Sequence, residues 1–229
     1  MTAASRTDSV SGGGRVTGGP EIAAPRRRGR PPAAETTAEA TRGRIVAAAV
    51  ELFAEQGFHG TGVAEIGDRA GVQRGALYYH IGSKEELLWQ ILRDYIQLML
   101  TDAQRISRGT DDPIGKLRKL IRSHVGLIIE HRREVAIQLR DVTALTGDRG
   151  EELQEMRDEV QQCWQRVIDA GHATGLLRTN DHVVTNSVLG MLNMVTFWYR
   201  PHGGRSPEQI ADILASTVLD GIVTTTTKG

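Results

Sequence analysis

Apolar residues recur at helical spacing along most of this chain from position 45 to position 221, and no stretch alternates in the way that marks a strand. Ile45, Ala49, Leu52 and Phe53 form the stripe of a first helix that ends at Gly57. Two short helical segments follow, with Val63 and Ile66 on one face and Leu77 on the facing one, so that the pair shares a small core. Between them, Ala70-Gly71-Val72 offers a small residue, a glycine able to take positive φ as a helix stop, and an apolar residue that re-enters the core. This is helix-turn-helix punctuation. Ser83 caps a fourth helix with Glu86 at the capping-box position, and Leu88, Ile91, Leu92, Tyr95 and Met99 carry its apolar face.

Past Gly109, Asp111-Asp112-Pro113 starts a helix carrying Leu117, Leu120, Ile121, His124 and Ile128. Val135 and Leu139 mark a shorter helix. A long one follows Gly150, with Leu153, Met156, Val160, Cys163, Trp164 and Val167 in register. Val184, Val188, Met191, Leu192, Val195 and Trp198 give an eighth helix closed by Pro201 and Gly203, and Ser206-Pro207-Glu208 opens a last one that runs to Gly221. The pattern predicts an all-α chain of about nine helices.

The inward direction of Leu77 decides the chemistry of its neighbours. With Leu77 in the core, most of Arg74, Ala76, Tyr78, Tyr79 and His80 must lie on the outer surface of the second short helix. Exposed tyrosines beside Arg and His suit phosphates and the edges of bases in a groove. The stretch Gly57-Phe58-His59-Gly60-Thr61-Gly62-Val63-Ala64-Glu65-Ile66, followed by Ala70-Gly71-Val72, Gly75, Leu77-Tyr78, His80 and Lys84, resembles the DNA-binding domain of TetR-family transcriptional regulators over roughly residues 41 to 90.

The resemblance implies a three-helix DNA-binding domain joined to a roughly six-helix domain for ligand binding and dimerisation. The expected division is a disordered basic arm over 1–40, the helix-turn-helix domain over 41–88, and the helical domain over 89–229. Arg74, Gly75, Ala76 and Tyr79 are expected to address base edges, and Thr61, Gln73, Tyr78, His80 and Lys84 to hold phosphates. The chain departs from the family pattern at four places. Gly62 stands where a Ser or Thr cap is usual, with Thr61 as a substitute hydroxyl and Glu65 at the capping-box position. Gly67 replaces the usual Ala, Gln73 the usual Ser or Thr, and Ile81 the usual Phe.

Charge redirects attention to the N-terminus. The formal net charge is zero, but residues 1–44 hold eight arginines against four acids, whereas residues 45–90 hold three bases against six acids. Attraction to a polyanion therefore depends on the segment in front of the helix-turn-helix. Its core, Arg28-Gly29-Arg30-Pro31, resembles an AT-hook: proline favours an extended backbone, glycine permits close approach to the groove floor, and Arg28 and Arg30 would enter a narrow minor groove of negative potential. A solvated basic tail reads from the same residues. Residues 1–40 lack apolar periodicity, and disorder is expected there without DNA.

The single Cys163 excludes an internal disulfide and a cysteine-based zinc cluster; its apolar neighbours suit a buried small hydrophobe better than a reactive thiol. No run approaches the ~18–20 apolar residues needed to span a bilayer, and no secretory signal heads the chain, so a cytoplasmic protein without membrane partners is expected. The seven histidines are scattered without a partner set for zinc or a triad, which argues against catalysis; no cofactor is expected. Small residues Gly190, Ala211, Ala215, Ser216 and Gly221 on the last two helices allow close packing, and the resemblance assigns those helices to a homodimer interface. Met156, Trp164, Met191, Met194 and Trp198 suit the wall of a cavity for a small, mostly apolar effector, or plain core. Arg122, His124, Gln138, Arg140 and Asn193 are the polar candidates to orient that effector. The C-terminal segment from Trp198 to Glu208 is similar to a TetR branch associated with acyl-CoA or steroid-degradation intermediates. A ligand-responsive repressor on a palindromic operator follows; an architectural DNA protein acting through the arm is the alternative.

Overall fold

The structure, a computed structural model, describes residues 33–224, with side chains from residue 37 onward. The arm with Arg28 and Arg30 lies outside the described residues. Three helices form the N-terminal part: α1 (Ala33–Gln56), α2 (Val63–Ala70) and α3 (Arg74–Ile81). The second part holds α4 (Lys84–Ser107), α5 (Pro113–Glu130), α6 (Arg132–Asp141), a 3-10 turn (Val142–Ala144), α7 (Asp148–Ala173), α8 (His182–Asn193), the short α9 (Val195–Trp198) and α10 (Pro207–Ile222). The all-α expectation holds among the described residues, where the only β feature is an isolated antiparallel bridge between Leu177 and Val223.

Side-chain caps set four of the ten α-helix starts among the described residues, at Ser83, Asp112, Asp181 and Ser206. Asp112 accepts from the amides of Ile114 and Gly115, with Pro113 in the first turn of α5. Ser206 closes a full capping box with Gln209 ahead of α10. Ser83 accepts from the Glu86 amide at 3.0 Å, but the Glu86 carboxylate turns to Arg149 of α7 rather than back to the cap. At α2 the capping box is absent: Gly62 brings no side-chain oxygen, and Glu65 accepts from Gln56 Nε2 at 2.7 Å. The inter-helix partner displaces the local one.

Two boundaries differ from the sequence reading. Helix α1 begins at Ala33, ahead of the expected domain edge at 41, because the run Ala33-Ala34-Glu35 to Ala40 is rich in strong helix formers although it has no apolar stripe to reveal itself by periodicity. The expected eighth helix is interrupted at Met194, so that α8 and α9 together make the eighth element of the expected count and α10 the ninth. At that break Thr196, buried, donates to the Arg132 carbonyl at 3.1 Å and turns α9 toward the start of α6.

One continuous apolar core joins the two parts. It runs from Ile45, Leu52, Phe53, Ile66 and Leu77 through Leu88, Leu92 and Ile96 of α4 to Leu120, Ile121, Trp164 and Leu192. Helix α4 lies along α7, α5 packs on α10, and α1 touches α2, α3, α4 and α6. Leu77 is fully buried, with 0 % of its surface exposed. Truncation there removes packing shared by α2 and α3. Leu77→Ala is expected to lower the unfolding free energy by about 2–5 kcal/mol, against less than about 0.5 kcal/mol for Ala76→Ser, one residue away on the exposed face. Denaturant melts of both variants check this.

Candidate nucleic-acid interface

The turn between α2 and α3 is built on Gly71, whose φ of +65° places it in the left-handed region and whose amide bonds the Asp68 carbonyl at 3.2 Å. The Val72 amide reaches back to the Gly67 carbonyl at 2.9 Å. A Cβ at Gly67 would lie 2.9 Å from the Val72 carbonyl oxygen, so the departure from the family's usual alanine lets α2 approach the turn more closely. Leu77 and Ile81 then anchor α3 inward.

That anchoring leaves one edge of α3 in solvent. Arg74, Gly75 and Ala76 are exposed, Tyr78 is 41 % exposed and Tyr79 87 %. Gln73 precedes the helix in an extended conformation, and its amide side chain makes no cap, which leaves it available to a ligand. His80 is half-buried, with its ring edge-on to Tyr79 at 5.4 Å between centroids. Arg42 of α1 fixes the end of this helix by donating to the His80 carbonyl at 2.7 Å and to Gln90 Oε1 of α4 at 2.6 Å.

Two residues expected at phosphates are engaged within the protein. Thr61 is buried, and its hydroxyl donates to the Gly57 carbonyl at 2.8 Å. Lys84 donates to the carbonyls of Phe58 and Thr61, both at 3.0 Å, and its ammonium lies 4.4 Å from the centre of the Phe58 ring. A cation in the first turn of a helix opposes the helix dipole. The carbonyls and ring of the α1–α2 turn compensate it, and Lys84 thereby ties α4 to that turn. Arg44 of α1 is exposed beside the helix-turn-helix turn, with its guanidinium about a van der Waals contact from the space a Cβ on Gly71 would fill.

An exposed, basic and aromatic α3 edge braced by a short α2 is the geometry of a helix that enters a groove of duplex DNA. Residues 45–91 match the family described as bacterial regulatory proteins, tetR family, and residues 110–222 match the tetracyclin repressor-like C-terminal domain. The chain belongs to the TetR family. It is 30 % identical to the HTH-type transcriptional repressor KstR2 of Rhodococcus jostii (strain RHA1), over 84 % of this chain and 96 % of that one. The solved ketosteroid transcriptional regulator KstR2 of Mycobacterium tuberculosis superposes with a TM-score of 0.75 at 27 % identity, covering 80 % of this chain and 95 % of that chain. AibR, solved in complex with isovaleryl coenzyme A and operator DNA, gives a TM-score of 0.71 at 26 % identity, over 77 % and 97 % of the two chains. This TetR-family chain is a DNA-binding transcriptional regulator.

In this TetR-family fold the second part grips the first through residues that periodicity could not single out. Arg140, at the end of α6, donates to the carbonyls of Phe53 and Ala54 at the end of α1, and pairs with its neighbour Asp141 at 3.0 Å. Asp141 is buried and accepts from the Phe58 amide at 3.2 Å. The Arg140 guanidinium also covers Gly57, whose φ is +86°. Arg140 is therefore an interdomain contact. On the other side, Glu152 of α7 accepts from Trp89 Nε1 at 3.0 Å and from Arg93 Nε at 3.2 Å, which fastens the first half of α4 to α7.

The residues expected around an effector divide sharply. His124, Trp164 and Asn193 come together: His124 Nε2 is 3.2 Å from Asn193 Oδ1, and its ring meets Trp164 edge-on at 5.6 Å. The cavity beside His124 and Trp164 holds only about 10 Å³, the room of one water at most. Met156 and Met191 are half-buried and pack on the core. Gln138 is half-buried, and its Oε1 has no hydrogen-bond partner among the described residues. Arg122 points outward to Asp212 of α10 at 2.7 Å, and Met194 and Trp198, 45 % and 49 % exposed, lie on the surface. None of these three lines the cavity beside His124.

Burial pushes the His124 imidazole down to about 4, against the smaller opposing effect of its Asn193 bond. The folded chain then holds His124 neutral while the unfolded chain takes up a proton below about pH 6.5. Stability is lost as pH falls from there toward 4, by up to about 3 kcal/mol. His124→Phe should be less sensitive than wild type over that window, as read from denaturant midpoints at a series of pH values.

Proposed function

We propose that the protein is a ligand-responsive repressor that binds a palindromic operator as a homodimer. The observation that carries the reading is the exposed α3 edge above buried Leu77. Arg74, Gly75, Ala76 and Tyr79 address base edges in the major groove, and Gln73, Tyr78, His80 and Arg44 hold the flanking phosphates. The arm over 1–32, with Arg28 and Arg30, adds counterion release and a minor-groove contact. One recognition helix reads only a few base pairs, so specificity requires two, about 34 Å apart on successive turns of the groove. The second copy docks on α8 to α10, where Val183, Met194, Phe197, Trp198 and Ile213 are exposed apolar side chains. The protein acts in the cytoplasm, and its output is regulation rather than catalysis.

The effector is small and mostly apolar. An acyl-CoA or a steroid-like catabolite agrees with the isovaleryl coenzyme A in the AibR structure and with the ketosteroid regulator among the relatives. It enters between α5, α7 and α8 by parting the contacts around His124, Trp164 and Asn193, since the present cavity is too small. Repression is relieved only if the effector binds the parted form more tightly than the closed one. The displaced α4 carries the change through Lys84 to the α1–α2 turn, and α6 carries it through Arg140.

Tyr79→Ala is expected to weaken operator binding by about tenfold or more while thermal stability and dimerisation stay as in wild type; fluorescence anisotropy with melting curves and sedimentation measures all three. Equal loss of the three would place Tyr79 in the core and overturn the reading. Because α1 begins at Ala33, deletion of residues 1–32 leaves the helix-turn-helix complete. The deleted protein should keep its sequence preference at lower affinity and with a shallower salt dependence. Loss of all preference would instead favour an architectural protein acting through the arm.

A further inference from the structure

The junction of α1, α4 and α6 holds a partly open cleft of about 120 Å³. Its walls are Val46 and Val50 of α1 and Ile91 and Leu98 of α4, and its polar groups are Asp94, Tyr95, His131 and Glu134. The volume is of the order of the ~150 Å³ cavity that admits a benzene ring. Val50 and Glu134 also line the two larger open clefts that adjoin it, of about 600 and 500 Å³, so the pocket has a route to solvent.

Tyr95 is 3 % exposed, and its hydroxyl has no hydrogen-bond partner among the described residues. A buried hydroxyl without a partner costs free energy, which a bound group restores. Burial, and after it the charge of the nearby Glu134 carboxylate, opposes ionisation of the Tyr95 phenol and keeps the hydroxyl protonated and able both to donate and to accept. No Lys or Arg is among the residues that line the cleft. Arg133 is drawn to Glu51 at 3.7 Å, while Arg93, 3.7 Å from Asp94, and the His131 imidazole, with Nδ1 3.6 Å from Glu134, are the neighbours with which an incoming ammonium shares those two carboxylates.

From this juxtaposition we propose that the cleft is a binding site for a compact primary amine with an apolar body. The ammonium pairs with Glu134, donates to the Tyr95 hydroxyl oxygen and faces Asp94 across the mouth, while Val46, Val50, Ile91 and Leu98 take the hydrocarbon part. The site is separate from the His124 cavity and from the exposed edge of α3. It touches the helix that carries the DNA-reading pair and two helices of the effector domain at once, so an occupant pins one part to the other. The proposal does not depend on the identity of the operator or on the effector proposed above.

The test uses the full chain without DNA. Benzylamine is titrated calorimetrically and followed by its effect on the melting temperature, with benzyl alcohol as the neutral counterpart. Benzylamine is expected to bind in a saturable way and raise the melting temperature, and benzyl alcohol to do neither. Glu134→Gln should weaken the amine by about tenfold or more, and Tyr95→Phe, which keeps the ring in the core, by several-fold. Wild-type affinity for benzylamine in both variants overturns the proposal, as does an equal response to benzyl alcohol or no response to the amine. If Glu134→Gln fails to fold, Tyr95→Phe decides alone. Operator binding, measured separately, stands or falls with Tyr79 and not with these residues.

Discussion

Three charged side chains hold the turn between α1 and α2, and the position of the DNA-reading helix follows from that hold. Lys84 supplies its ammonium to the carbonyls of Phe58 and Thr61, Arg140 its guanidinium to those of Phe53 and Ala54, and Asp141 its carboxylate to the Phe58 amide. A turn of this kind leaves backbone groups that need partners when water is excluded. Here the partners come from α4 and from the end of α6, so satisfying the turn also fixes the small domain against the large one. Charged hydrogen bonds to backbone groups are stronger than neutral ones, and at the buried Asp141–Phe58 bond removal of the carboxylate leaves an uncompensated amide.

That arrangement explains how the molecule can couple two distant surfaces with a short lever. Helix α4 starts at the turn with Lys84 and is fastened along its first half to α7 by Trp89, Arg93 and Glu152. Helix α6 ends at the same turn with Arg140 and begins beside α9, where Thr196 bonds the Arg132 carbonyl. A change in the packing of the effector domain therefore reaches α1 by two rigid elements. Within that hold, Leu77, Ile81 and the Arg42 bonds to His80 and to Gln90 of α4 set the direction of the α3 edge.

The misplacements among the expected site residues share one physical cause. Thr61, Lys84, Arg122 and Arg140 are of types that suit phosphate or an anionic group. Each instead meets a protein partner from another element: the Gly57 carbonyl, the turn carbonyls, Asp212, and the end of α1. Polar side chains near a domain junction are drawn to unsatisfied backbone and opposite charge, and no spacing along the chain announces which will be taken. Met194 and Trp198 fail for a different reason, since the helical register that aimed them inward is broken between α8 and α9.

Periodicity and punctuation by themselves determined the helices of this TetR-family chain, the Gly71 turn, the caps at Asp112 and Ser206, and the inward direction of Leu77 with Tyr79 opposite. These depend on contacts within a few residues and on the burial of one apolar stripe, which the order of residues encodes directly. Tertiary structure alone decided the hold of Lys84, Arg140 and Asp141 on the α1–α2 turn, the pairing of His124 with Asn193, the closure of the cavity beside Trp164, and the cleft beneath Tyr95. Those contacts join positions tens of residues apart, and their formation depends on how whole helices pack, which a local pattern does not specify.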